Sequence, residues 1–125
     1  MDATTVRSAR EVLGSELTIN KLPIKNRIVL GPMSVLRPTE DGRPSAQTIA
    51  FLARRAKGGV GLIIVGGSVA TERAWRESPF SPNLRFDKDE FVPDLKRLTD
   101  AVHEYGTRVF AQIFPSSAGG SHRAR

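Results

Sequence analysis

The sequence predicts an α/β fold in which parallel strands alternate with amphipathic helices. Three short apolar segments, residues 27–33, 60–65 and 108–114, have the length and composition of buried strands. Two segments with apolar residues at helical spacing lie between them. Strands that are apolar on both faces and separated by helices pair in parallel through right-handed crossovers. The three strands are therefore expected to form one helix-covered sheet.

A short β-hairpin is expected before the first of these strands. Residues 17–20 alternate apolar and polar side chains, as a half-exposed strand does, and residues 21–24 then turn the chain. Residues 1–16 have only weak helical character, and we expect them to be a flexible lead-in. At the other end, residues 115–125 are small, polar and basic, and they indicate an irregular tail.

The first predicted helix has a clear start and a clear end. Ser45 is a suitable N-cap, and Gly58 and Gly59 end the helix. The apolar residues between them fall on one helical face: Ile49, Leu52, Ala53 and Ala56. This helix connects the first core strand to the second.

The second predicted helix follows a long connection. Residues 68–88 exceed the usual loop length, which favours a functional loop or a lid. Asp87 or Asp89 can cap the helix, and Gly106 ends it. Its apolar face consists of Phe91, Leu95, Leu98, Val102 and Tyr105.

Composition excludes several classes of protein. With 39% hydrophobic and 26% charged residues the chain is expected to be ordered, and without cysteine it has neither disulfides nor thiolate metal sites. The net charge is +6, but aromatic residues do not interleave with the basic ones, which argues against nucleic-acid binding. His103 and His122 lack zinc-site spacing, so no metal site is expected. The sequence shows neither a membrane span nor a secretory signal, and a cytoplasmic location is expected.

Two features in or after the predicted strands suit either a binding site or a structural role. Gly66 and Gly67 follow the second strand, where glycines let a planar ligand approach the backbone closely. They match neither a dinucleotide fingerprint nor a phosphate loop. Gln112 lies within the apolar third strand, where its carboxamide needs partners. It suits either the edge of a heterocycle or a structural hydrogen bond, and the residues alone leave both open.

Three segments together resemble the Old Yellow Enzyme family of FMN-dependent oxidoreductases. Residues 25–34 read Lys-Asn-Arg-Ile-Val-Leu-Gly-Pro-Met-Ser, like the first barrel strand of that family. Residues 59–67, Gly-Val-Gly-Leu-Ile-Ile-Val-Gly-Gly, resemble the second, and residues 110–114, Phe-Ala-Gln-Ile-Phe, the third. The Gly-Gly pair looks most similar to the 2,4-dienoyl-CoA-reductase-like branch. The resemblance implies the N-terminal three βα units of a TIM (β/α)8 barrel.

The resemblance also implies a role for five residues at the C-terminal ends of these strands. Pro32, Met33 and Ser34 would lie along the isoalloxazine ring of FMN. Gly67 would lie near the polar edge of the flavin, and Gln112 would bond its pyrimidine part. The implied reaction uses NAD(P)H as reductant and a small unsaturated molecule as substrate, and the cofactor carries the chemistry.

Two departures from the family pattern limit what this chain is expected to do. Pro115 stands where many relatives carry histidine, and residues 115–125 show little similarity. The family's substrate-activating and proton-donating residues would lie beyond the chain, so no catalytic residue is assigned. A complete barrel needs roughly 200 residues or more. We therefore expect a partial FMN-binding barrel over residues 17–114, weak or inactive alone.

An alternative reading is a non-catalytic barrel fragment that pairs with a complementary chain. Three strands cannot close a barrel, and the outer edge of the third strand would stay open to pairing. A homo-oligomer would cover this edge equally well. Enzyme and pairing module are distinguished by whether strands four to eight belong to the same reading frame.

Overall fold

The computed structural model of the chain describes residues 8–33, 37–77 and 83–114. Within these ranges the strands β1 to β6 are Leu17–Ile19, Leu22–Ile24, Val29–Leu30, Leu62–Val69, Leu84–Arg85 and Arg108–Phe114. The helices α1 to α4 are Ala9–Gly14, Ala46–Lys57, Glu72–Glu77 and Val92–His103, and a 3₁₀ turn, Asp89–Phe91, precedes α4. None of these helices has the length and apolar character needed to cross a membrane.

A parallel sheet centred on β4 forms the body of the fold. β3 pairs with the first half of β4, with Val29 opposite Leu62, and β6 pairs along the other side, with Leu62 opposite Arg108. β5 pairs in parallel with the end of β4, where Val69 lies opposite Arg85. The sheet confirms the expected mixed α/β class with parallel strands.

The expected hairpin is present ahead of this sheet. β1 and β2 pair antiparallel, with Leu17 opposite Ile24. Asn20 has a positive φ of 55° at the turn, a conformation that asparagine tolerates better than most residues. Ile24 is 1% exposed, so the hairpin packs against the body of the fold.

Helices α2 and α4 cover one face of the sheet and enclose the core. The Ser45 hydroxyl accepts a hydrogen bond from the Thr48 amide at 3.1 Å, which confirms the predicted N-cap of α2. The buried cluster joins side chains of both helices to those of the strands: Leu52, Ala56, Ile63, Val65, Leu84, Leu98 and Val102. The described residues thus comprise two βα units and the strand of a third. A helix completing the third unit would follow Phe114, beyond the described residues.

Several predicted boundaries differ from those of the structure. The first core strand is confined to Val29–Leu30, and β4 continues through its glycine pair to Val69. The long connection contains α3 and β5 among its described residues. Neither Asp87 nor Asp89 caps α4, which begins after Phe91 with Pro93 in its first turn. The Asp87 carboxylate is instead engaged by Arg85.

Candidate functional site

The predicted site residues of three strands meet at the C-terminal end of the parallel sheet. Pro32 and Met33 follow β3, Gly67 lies in β4 and Gln112 lies in β6. Because the strands are parallel and adjacent, their carboxyl ends share one edge of the sheet, which is where sites form in such folds. Ser34, the fifth predicted residue, lies outside the described residues.

A β-bulge places the glycine pair directly opposite Gln112. Val65 pairs with Ala111, and the next pair is Ser68 with Ile113. Gly66 and Gly67 therefore face the single residue Gln112, which is the two-against-one arrangement of a bulge. Gly67 has a φ of 68°, a conformation that costs little only for glycine. The conformation at the bulge therefore requires glycine at position 67. The contact of Gly67 with a flavin stays a prediction.

The backbone after β3 lies against Gly66. A Cβ atom at position 66 would stand 2.6 Å from the Met33 amide nitrogen, 3.0 Å from the Pro32 carbonyl carbon and 3.1 Å from the Pro32 Cα. These atoms are backbone and cannot rotate away. Gly66 is therefore required for the close packing of the two strand ends. The sequence contained the signal, two adjacent glycines at a strand end, but only Gly67 was predicted as a site residue.

Gln112 has the features expected of a ligand-binding carboxamide. Its side chain is half-buried, and it has no hydrogen-bond partner among the described residues. The structural hydrogen bond that the sequence left open as an alternative is thus not seen in the described part of the chain. A carboxamide can donate and accept at once, so this side chain is available to a ligand that offers both kinds of group. Met33, at 41% exposed, is available to pack against a planar group at the same end of the sheet.

A buried ion pair that the sequence did not predict stands next to this end of the sheet. Arg85 and Asp87 are 6% and 5% exposed, and the guanidinium donates to the carboxylate at 2.9 and 2.7 Å. These two hydrogen bonds lower the pKa of Asp87 below its usual value. Sequence reasoning missed the pair because an Arg-x-Asp spacing in a predicted loop carries no signal of burial.

Metal-binding groups are not part of this site. Across residues 8–33, 37–77 and 83–114, no group of three or more His, Asp or Glu side chains could hold a metal ion. His103 lies exposed at the end of α4, at the opposite end of the sheet from Gln112.

Comparisons with known proteins point to one family. The model of the NADH:flavin oxidoreductase / NADH oxidase family matches residues 15–123. An NADH oxidase of Thermoanaerobacter brockii is 40% identical over 105 residues, which cover 81% of this chain and 15% of that protein. An NADPH dehydrogenase of Listeria monocytogenes is 36% identical over 102 residues, which cover 81% of this chain and 29% of that protein. The chain therefore spans less than a third of the length of these relatives.

Solved structures agree with the family match. The Old Yellow Enzyme homologue of Zymomonas mobilis superposes with a TM-score of 0.70 at 28% identity, over 81% of this chain and 27% of that one. The Old Yellow Enzyme of Pichia sp. AKU4542 gives a TM-score of 0.73 at 21% identity, which supports the fold alone. The NADH oxidase and the NADPH dehydrogenase are oxidoreductases by name. The chain belongs to the NADH:flavin oxidoreductase / NADH oxidase family, which confirms the expected relationship to Old Yellow Enzyme and the expected cofactors, FMN with NAD(P)H as reductant.

Proposed function

We propose that this chain supplies one side of the flavin site of an FMN-dependent oxidoreductase, and that it holds the isoalloxazine ring rather than the phosphate. The observation that carries the proposal is the bulge, which sets Gln112 opposite Gly66 and Gly67, with no hydrogen-bond partner for its carboxamide among the described residues. Bound FMN supplies hydride transfer from NAD(P)H to a small unsaturated substrate. The protein groups described below bind and orient it.

The residues present fit a planar heterocycle with a polar edge. Gln112 offers an N–H donor and a carbonyl acceptor on one side chain, which matches a ring edge that carries both kinds of group. Gly67 leaves its backbone open to close approach, because no Cβ shields it. Pro32 and Met33 are exposed beside this edge and offer apolar surface for one face of the ring. These four residues, together with Ser34, are the flavin-binding residues we propose.

The described residues also explain why we propose binding of the isoalloxazine ring rather than of the phosphate. Phosphate groups are held by helix N-termini, by consecutive backbone amides or by Arg and Lys side chains. Among the described residues, the glycine pair instead lies opposite Gln112, and the backbone of Pro32 and Met33 packs against Gly66. Affinity for this chain should therefore depend on the ring and only weakly on the phosphate.

The test is a comparison of three ligands by amide NMR, a method that detects weak binding. The chain is titrated with lumiflavin, which is the ring without phosphate, with FMN, and with adenosine monophosphate as a phosphate without the ring. The proposal predicts similar shifts at Gly67 and Gln112 for both flavins, with similar affinities, and none for adenosine monophosphate. Shifts with adenosine monophosphate but not with lumiflavin would contradict it.

A further inference from the structure

The short strand β5 connects the loop after β3 to the end of β4. The Arg85 amide donates to the Gly42 carbonyl at 3.0 Å, and the next amide, that of Phe86, donates to the Val69 carbonyl at 3.0 Å. Val69 follows Gly67 by two residues, and the loop of residues 37–45 begins four residues after Met33. β5 is therefore bonded to both chain segments that leave the candidate site.

The side chain of Arg85 is enclosed on several sides. Its guanidinium carbon lies 4.5 Å from the centre of the Trp75 ring and 4.9 Å from that of the Phe91 ring. Asp87 accepts two hydrogen bonds from the same guanidinium. A buried charge is costly unless it is paired and hydrogen-bonded, and contact with aromatic faces adds to the attraction. These contacts together hold Arg85 in one orientation.

The Arg85 side chain packs against Gly42 in space that a Cβ atom would fill. It has a φ of 88°, and a Cβ atom there would stand 2.5 Å from the Arg85 Cγ and 2.7 Å from its Cδ. The stem of Arg85 consequently runs against the backbone of the loop. We call Gly42, Trp75, Arg85, Asp87 and Phe91 the arginine clasp.

The residue after Gly42 ties the same loop to α4. Arg43 donates to the Asp94 carboxylate at 2.6 Å and to the Glu90 carbonyl at 3.0 Å. Its guanidinium carbon lies 4.8 Å from the centre of the Phe91 ring, which Arg85 also contacts. The loop after β3 is thus held at two successive residues, one buried and one at the surface.

We propose that Arg85 is a positioning residue, which fixes the loop of residues 37–45 and the Gly66–Gly67 bulge relative to one another. Arg85 acts through Gly42 on one side and through Val69 on the other, and it does not itself reach the flavin edge. The consequence of this positioning for ligand binding rests on the proposed function, because the loop follows Met33 along the chain and the bulge contains Gly67. The coupling between the segments can be measured without any ligand.

Amide hydrogen exchange on the whole chain tests the coupling. Arg85→Met keeps a long apolar stem but removes the ion pair and the planar charge. Exchange is expected to rise about tenfold or more at Gly42, Phe86 and Ala70, because the variant loses both charge-assisted hydrogen bonds to Asp87. Amides of α2 and of the middle of β4 should keep their rates. Unchanged exchange at Gly42 and Phe86 in a folded variant would overturn the inference.

Two further variants separate positioning from general destabilisation. Leu98→Ala removes core packing outside the clasp, so it should speed exchange only at amides that open by global unfolding. Gly42→Ala perturbs the clasp from the opposite side and should reproduce the local pattern of Arg85→Met. If Arg85→Met does not fold, Arg85→Lys serves in its place, with the same pattern at smaller size. A pattern identical to that of Leu98→Ala would assign Arg85 a purely structural role.

Lumiflavin titration of the same variants tests the consequence for the site. Arg85→Met should weaken the response at Gly67 and Gln112, while Arg76→Met, which alters an exposed arginine of α3, should leave it unchanged. Faster exchange with unchanged lumiflavin affinity would overturn the positioning role. Absence of any response in the unmodified chain would overturn the proposed function instead, and would be seen before a variant is made.

Discussion

At the scale of single residues, Gln112 is the side chain whose replacement best separates a ligand-binding role from a structural one. Its carboxamide has no partner among the described residues, so replacing it should cost the fold little. Gln112→Leu is expected to leave the free energy of unfolding within about 0.5 kcal/mol, as substitutions away from packed or bonded positions usually do. The same change should weaken lumiflavin binding about tenfold, through loss of one or two hydrogen bonds. Urea unfolding and amide NMR titration measure the two effects, and a large loss of stability with unchanged affinity would make Gln112 structural.

Asp87 gives the ion pair a defined pH dependence. Because Arg85 lowers the pKa of Asp87 in the folded chain, the pair stabilises fully above the unfolded pKa of about 3.9. Its contribution is lost as the pH falls through the lower folded value. Asp87→Asn should therefore destabilise by about 1.5–3 kcal/mol at pH 7, the range for hydrogen bonds to charged groups. The difference from the unmodified chain should shrink below about pH 4 in urea unfolding. A difference that is constant with pH would contradict this account.

At the scale of elements, the end of β4 depends on a glycine that no side chain can replace. Gly66→Ala would place a methyl group 2.6 Å from the Met33 amide nitrogen, so backbone must move. We expect a loss of about 1–3 kcal/mol in the free energy of unfolding, as for other overpacked positions. Gly31→Ala is the matched control, because a Cβ there meets nothing within 4 Å. Equal stability of the two variants would show that β3 and β4 do not meet as described.

The boundaries of the elements also show which features of the fold could be predicted from the sequence alone. Helix α2 followed from its period and from Ser45 and Gly58, because caps and apolar spacing are local signals. The extension of β4 to Val69 did not, since a bulge is defined by register against Gln112 on another strand. Asp87 or Asp89 was expected to cap α4, but the buried Arg85 engages the Asp87 carboxylate. Both differences arise from tertiary contacts that local sequence patterns do not indicate.

At the scale of the whole molecule, the fold and family were predictable, whereas the support of the site was not. Three strand motifs in order indicated the family, which the family match confirms, and the parallel sheet confirms the mixed α/β class. The clasp joins residues from 42 to 91, and no spacing in the sequence indicates that they meet. Under the proposed function, one end of the sheet is a ring-binding edge that is supported by two connected loops.

A map of FMN-induced amide shifts over the unmodified chain tests this claim most directly. The account predicts that the largest shifts fall at Met33, Gly66, Gly67 and Gln112, at the C-terminal ends of the strands. Amides at the opposite end, such as Gly61 and Gly106, should not respond. Shifts centred on that opposite end, or a chain that shows no response at any FMN concentration, would contradict the assignment of this edge to the flavin.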